Sequence, residues 1–163
     1  MDYIATILFG LFLLITKYCS QIQGGYQLIW KYFGNIPIPV IEGDLAEQLS
    51  SLADKMLYLN KDLQTKRARF LQLLQNNLPE AKITSVLESF DTLDFAGFVA
   101  ELKKQKIKLT LTQQDEWLDF FDKYKTNCEE LKSSIAATDA AINSRVYDLY
   151  GLTQDERRLI EQS

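Results

Sequence analysis

Nine positions beginning at Leu45 constrain this chain more than anything else in it. Leu45, Leu49, Leu52, Met56, Leu59, Leu63, Lys66, Phe70 and Leu73 step alternately by four and three, and all but Lys66 are apolar. A 4-3 repeat sustained over four heptads puts an apolar stripe along one side of a long helix and asks for a second helix to cover it. Asp44 stands just before the stripe with Glu47 three residues on, in the manner of a capping box. Pro79 follows closely on Asn76-Asn77, so the helix is expected to stop there.

A second stripe answers the first. Phe121, Tyr124, Cys128, Leu131, Ile135, Thr138 and Ile142 also step by three and four, and Val146 and Leu149 continue at ordinary helical spacing. Thr112 with Asp115 reads as the start of this helix, a weaker box because Asp replaces Glu or Gln. Gly151 suits a left-handed C′ position. Thr153 with Glu156 opens a last short helix. Between the stripes, "DFAGFVAELKKQ" reads as a short amphipathic helix and "KIKLTL" as a short strand or an extended lead-in. Two facing stripes fold back as an antiparallel hairpin or join a compact bundle. At 1.5 Å rise, about 29 residues of seam make a rod on the order of 40 Å.

The N-terminal part is of another kind. Residues 4–15, "IATILFGLFLLI", form an apolar run of about a dozen residues, shorter than the roughly 20 a membrane span needs. Asp2 precedes it and Lys17 follows, which is not the flanking of a signal peptide. A buried helix is expected, with a membrane anchor and a signal peptide as alternatives. Gly24-Gly25 signals a turn, and Tyr26, Leu28, Trp30 and Tyr32 then alternate with their neighbours as in one or two short strands. Pro37 and Pro39 lack the amide hydrogen that a central strand donates, so "NIPIPVI" is an edge or a strap.

Several chemistries are excluded. The chain has no histidine, which removes the commonest general base and every Ser-His or Cys-His pair. Cys19 and Cys128 are too few for a zinc site and read as free thiols in a reducing compartment. No phosphate loop or dinucleotide fingerprint occurs. Asp115, Asp119 and Asp122 share one helix face, and Glu129 and Glu130 lie further along; both groups read as solvated surface. A net charge of −4 argues against a uniformly basic nucleic-acid binder but allows a local basic face. Two clusters qualify: Lys61, Lys66, Arg67 and Arg69, then Lys103, Lys104, Lys106 and Lys108. Gln21, Gln23, Gln27 and Lys31, with Tyr26, surround the Gly24-Gly25 turn, and glutamines can read adenine edges.

Two stretches carry a resemblance. "YFGNIPIPVI" followed by "EQLSSLADKML" resembles the junction of target-recognition domain and spacer helix in bacterial restriction–modification proteins. Ile36, Pro37, Ile38 and Pro39 stand in the strap, and Glu47 and Gln48 near the helix start. The ending "TDAAINSRVYDLYGLTQDERRLIE" is similar to the C-terminus of type IIG (Eco57I-like) enzymes, whose last region is a TaqI-like specificity domain related to type I specificity subunits. Thr138, Asp139, Ile142, Val146, Tyr147, Leu149, Tyr150, Gly151, Leu152, Thr153, Glu156, Ile160 and Glu161 match that ending.

The resemblance implies a mainly α fold with a small β element: an N-terminal helix and short strand or strap, then a long antiparallel coiled-coil hairpin with a short C-terminal helix. Residues 1–43 would be the remnant of a recognition lobe, and residues 44–163 a helical spacer with an inserted segment at 78–111. The family's Asn-Pro-Pro-Tyr methyltransferase motif is not in this sequence. The implied function is therefore a non-catalytic, cytoplasmic DNA-specificity module without a cofactor of its own. Its implied partners are double-stranded DNA and a methyltransferase or endonuclease, and the heptad helices leave room for a homo-oligomer. The candidate DNA contacts are Gln21, Gln23, Tyr26, Gln27, Lys31, Lys66, Arg67, Arg69, Lys103 and Lys104, with Pro37 and Pro39 stiffening the strap. A coiled-coil interaction protein without DNA, or a small membrane-anchored coiled coil, are the competing expectations.

Overall fold

The computed structural model describes residues 21–22, 25–26, 41 and 43–161. The apolar run at 4–15, Cys19 and the strap with Pro37 and Pro39 lie outside the described residues. Among those described, the chain is mainly helical. Strands β1 (Gln21–Ile22) and β2 (Gly25–Tyr26) pair antiparallel, Gln21 with Tyr26 and Ile22 with Gly25. Two rungs do not amount to the strand element expected, and beyond Tyr26 the alternating run falls outside the described residues. The helices are α1 (Asp44–Asn77), α2 (Ser85–Glu88), α3 (Phe95–Lys104), α4 (Leu111–Leu149) and α5 (Gln154–Glu161), with a 3-10 turn at Phe90–Thr92. None of these helices is long and apolar enough to cross a membrane. The chain divides into two units, Leu52–Thr138 and Met1–Ser51 with Asp139–Ser163.

In the Leu52–Thr138 unit, α1 buries Leu59, Leu63, Phe70 and Leu74. The stripe was expected to reach Leu73, yet Leu74 is the residue fully buried and Leu73 is half-buried. A helix with 3.6 residues per turn drifts by about 20° per heptad relative to a strict 3.5 repeat, so the buried face moves on by one residue. The helix ends where Pro79 forbids its continuation; the Leu78 N–H donates to the Leu74 carbonyl at 2.8 Å and satisfies one terminal acceptor, and the Asn77 side chain adds a bond to the Leu73 carbonyl. From α4, Phe121, Cys128, Ile135 and Thr138 are buried, with Tyr124 and Leu131 half-buried between them, as the second stripe predicts.

Aromatic rings join these faces. Phe70 stacks on Phe90 with centroids 3.7 Å apart, and meets Phe120 at 5.5 Å, Tyr124 at 5.8 Å and Phe98 at 5.9 Å. Phe121 in turn sits 5.2 Å from Phe98 and 5.9 Å from Phe90. The segment between the long helices thus supplies Phe90 and Phe98 to a shared core.

Its local turns are held by caps. The Thr84 hydroxyl accepts from the Leu87 N–H, opening α2. The Asp94 carboxylate accepts from the Gly97 N–H at 2.7 Å, opening α3; a Cβ at Gly97 would stand 3.0 Å from that same oxygen. The start of α4 differs from expectation. Gln113, not Asp115, completes the box: its side-chain oxygen accepts from the Thr110 N–H at 2.9 Å, and its own N–H donates to the Thr110 hydroxyl at 3.3 Å. Thr112 consequently lies inside the first turn. Ser/Thr-x-x-Gln was available two residues upstream, and an amide reaches back to the cap where the shorter Asp would not.

In the other unit, α1 begins after Gly43, whose φ of +65° is a left-handed conformation. The N–H groups of Ala46 and Glu47 donate to the Gly43 carbonyl, so Asp44 is the first helical residue rather than the cap. Near the end of α4, the Arg145 guanidinium donates to the Gln48 side chain at 3.0 Å. Gly151, with φ +63°, closes α4: its N–H bonds to the Asp148 carbonyl and the Leu152 N–H to that of Tyr147. Thr153 and Glu156 form the expected box, each side chain accepting from the other residue's backbone N–H. The Thr153 N–H and, after it, the Thr153 hydroxyl, both donating to the carboxylate, hold Glu156 below the usual range.

Candidate functional site

The basic residues fall into two groups once their partners are known. Arg67, on α1, is committed inward. Its Nε and Nη2 donate to the two carboxylate oxygens of Asp91 at 3.0 and 2.8 Å. Lys132, on α4, forms a salt bridge to the same carboxylate. The Asp91 side chain is fully buried, whereas those of Arg67 and Lys132 are 31% and 37% exposed. A planar guanidinium fork matched to both oxygens is the geometry that makes a buried carboxylate tolerable. Burial pushes the Asp91 carboxyl up, but the hydrogen bonds and charges of Arg67 and Lys132 together outweigh it and hold the group below the usual carboxylate range. The Asp91 bond in turn raises the Arg67 guanidinium further.

Cys128 lies beside this clamp as a buried free thiol, pushed up first by burial and then by the charge of Asp91. Such a thiol is poorly ionised and packs as a small apolar group. Lys125 completes the bracing, its ammonium donating to the Leu93 carbonyl at 2.6 Å. Three cations from the two long helices therefore pin the 3-10 turn and the residue after it.

The second group faces water. Lys103 and Lys104 are exposed in the last turn of α3. Lys104 pairs with the buried carboxylate of Glu101 at 2.8 Å, which also accepts from the Thr84 hydroxyl at 3.0 Å. Those bonds, Lys104's first, hold Glu101 below the usual range. Arg69 is exposed and donates to Gln72. Lys66 is half-buried and lines a shallow groove of about 300 Å³ with Asp62, Asn127, Glu130, Leu131 and Ser134. Gln21 and Tyr26 take part in the two-rung ladder through their backbones; Gln23, Gln27 and Lys31 lie outside the described residues. Thus Lys103 and Lys104 stand together, Lys66 and Arg69 lie on α1, and Arg67 is turned to a carboxylate.

Sequence reasoning did not single out Asp91 or Lys132. Asp91 sits in the irregular segment and Lys132 lies beside, not on, the second stripe, so no periodicity marks either. Asp115, Asp119 and Asp122 are exposed, and no metal-binding group of acids and cysteines occurs among the described residues.

What the fold and the clamp define is a mainly helical protein in which the segment between the two long helices shares an aromatic core and a buried ion pair with them. Residues 43–146, from the start of α1 through most of α4, match a family described as a domain of unknown function (DUF8810), and the chain belongs to that family. No curated protein and no solved structure matches the chain.

Proposed function

We propose that this chain is a non-catalytic specificity module of a restriction–modification system. In this reading it works in the cytoplasm and helps place an adenine-specific DNA methyltransferase or endonuclease on its target. The long helices act as an antiparallel coiled-coil spacer, and the N-terminal residues as a recognition lobe joined to it through the proline strap. One observation carries the mechanical part. The Arg67–Asp91–Lys132 clamp ties α1, the inserted turn and α4 together, as a spacer that must hold an angle requires. The resemblance of the strap and of the "VYDLYGLT" ending supplies the identity of the system.

The test is reconstitution. The chain is mixed with an adenine-specific methyltransferase of the type IIG kind that lacks its own C-terminal region. The reading expects co-elution in size exclusion and site-specific adenine methylation that needs the chain. Absence of both refutes it. A second reading, a helical interaction module without DNA, has one observation in its favour. Leu57 and Tyr58 stand side by side on α1, 71% and 68% exposed, which is where an oligomer contact would form. A concentration-dependent dimer that binds no DNA would support that reading instead.

A further inference from the structure

We infer that the turn after α3 is a contact surface for the phosphate backbone of double-stranded DNA, carried by Lys82, Lys103, Lys106 and Lys108. This deepens the DNA-specificity reading and rests on it, but moves the contact away from the long helices.

All four lysines are exposed, and among the described residues none of them has an ion-pair partner. Several other cations are used internally, Arg67 and Lys132 on Asp91, Arg157 on Asp148 and Lys104 on Glu101, whereas the exposed lysines of the long helices, Lys55, Lys61 and Lys123, lie apart from one another along the sequence. From Leu102 to Gln114 the sequence holds four lysines and no acid, in a chain whose net charge is −4.

The turn is also held in shape. The Leu102 carbonyl accepts from the Ile107 N–H at 3.1 Å, and Lys106 takes a left-handed φ of +65° at the place where helices usually put glycine. Lys106 thus carries its side chain in a backbone conformation that a glycine would adopt at less cost. Ile107 and Leu109 are buried, while Lys106 and Lys108, the residues before each of them, are exposed. Gln105 locks the neighbouring strand of chain in place: it accepts from the Lys82 N–H at 2.7 Å and donates to the Lys82 carbonyl at 3.0 Å. Lys82 is thereby fixed beside the turn. The first turn of α4, next along the chain, carries no acid that would repel a phosphate.

The helix dipole accounts for Lys103 and Lys104, which stand at the C-terminus of α3. It does not account for Lys82, Lys106 and Lys108. The surface is all lysine, without the planar guanidinium forks that this protein aims at carboxylates. Point charges on flexible stems suit a regular row of phosphates and carry no base readout.

The test measures binding of the full chain to a short DNA duplex as a function of salt. Each phosphate contact contributes about 0.9 to the slope of log affinity against log salt. The triple substitution K103Q/K106Q/K108Q should lower that slope by about 2–3, while K55Q/K61Q/K123Q, the same change of charge on exposed long-helix lysines, leaves it within about 0.5. Equal slope losses in both triples, or an unchanged slope in the first, overturn the assignment while leaving DNA binding and the spacer reading in place. No duplex binding at low salt overturns it together with the DNA part of that reading, which reconstitution with the methyltransferase tests separately. Tighter binding to polyglutamate than to DNA of equal charge also overturns it, making the turn a docking face for an acidic protein.

Discussion

Replacing Asp91 by Asn tests the clamp at its centre. The carboxylate accepts two bonds from Arg67 and one salt bridge from Lys132, and its side chain has no exposed surface. Asn keeps the shape and one acceptor oxygen but not the charge. Removing one member of a fully buried ion pair costs about 3–5 kcal/mol because the other charge is left stranded. Here the stranded groups are the cations, which are about a third exposed and can rehydrate, so the expected loss is about 2–3 kcal/mol. Urea unfolding followed by far-UV circular dichroism at neutral pH reads it directly. The pH dependence supplies a sharper check. The folded carboxyl lies below its unfolded value, so its stabilisation is fully present above about pH 4 and is lost as pH falls through the lowered folded pKa. The gap between wild type and D91N should therefore close on acidification. The same substitution made on an R67M background should cost less than half as much, since the pair is already broken. A loss under about 0.5 kcal/mol at neutral pH, or a gap that persists undiminished at about pH 2, would refute the clamp as a stabilising element.

Two further outcomes follow from the packing and the backbone. Phe70 is fully buried with aromatic rings on several sides, so Phe70→Ala should destabilise the Leu52–Thr138 unit by about 3–5 kcal/mol, whereas exposed Leu57→Ala should stay within about 0.5; parallel denaturant titrations distinguish them. Lys106→Gly removes the penalty of a side chain at φ +65° and should raise stability by about 0.5–1 kcal/mol while weakening duplex binding, a combination that a purely structural role for Lys106 does not produce.

The sequence by itself determined what short-range interactions decide. The stripes from Leu45 and from Phe121 marked the two long helices, because burying every third or fourth side chain is a property of one helix repeated along its length. Pro79, Gly151 and the Thr153–Glu156 box marked ends, because a cap is closed within a few residues. Even the misplacements were short-ranged: Leu74 in place of Leu73 by helical drift, and Thr110–Gln113 in place of Thr112–Asp115 by reach. The tertiary structure alone decided which charges are used up and which remain available. Arg67 and Lys103 look alike in a sequence, each a cation in a basic cluster. Asp91 lies 24 residues from Arg67, and only chain folding brings its buried carboxylate under that guanidinium. Lys82 likewise joins the lysine turn only because Gln105, 23 residues on, grips its backbone. A charge is silenced by the partner that desolvates with it, and nothing in local periodicity fixes where that partner stands.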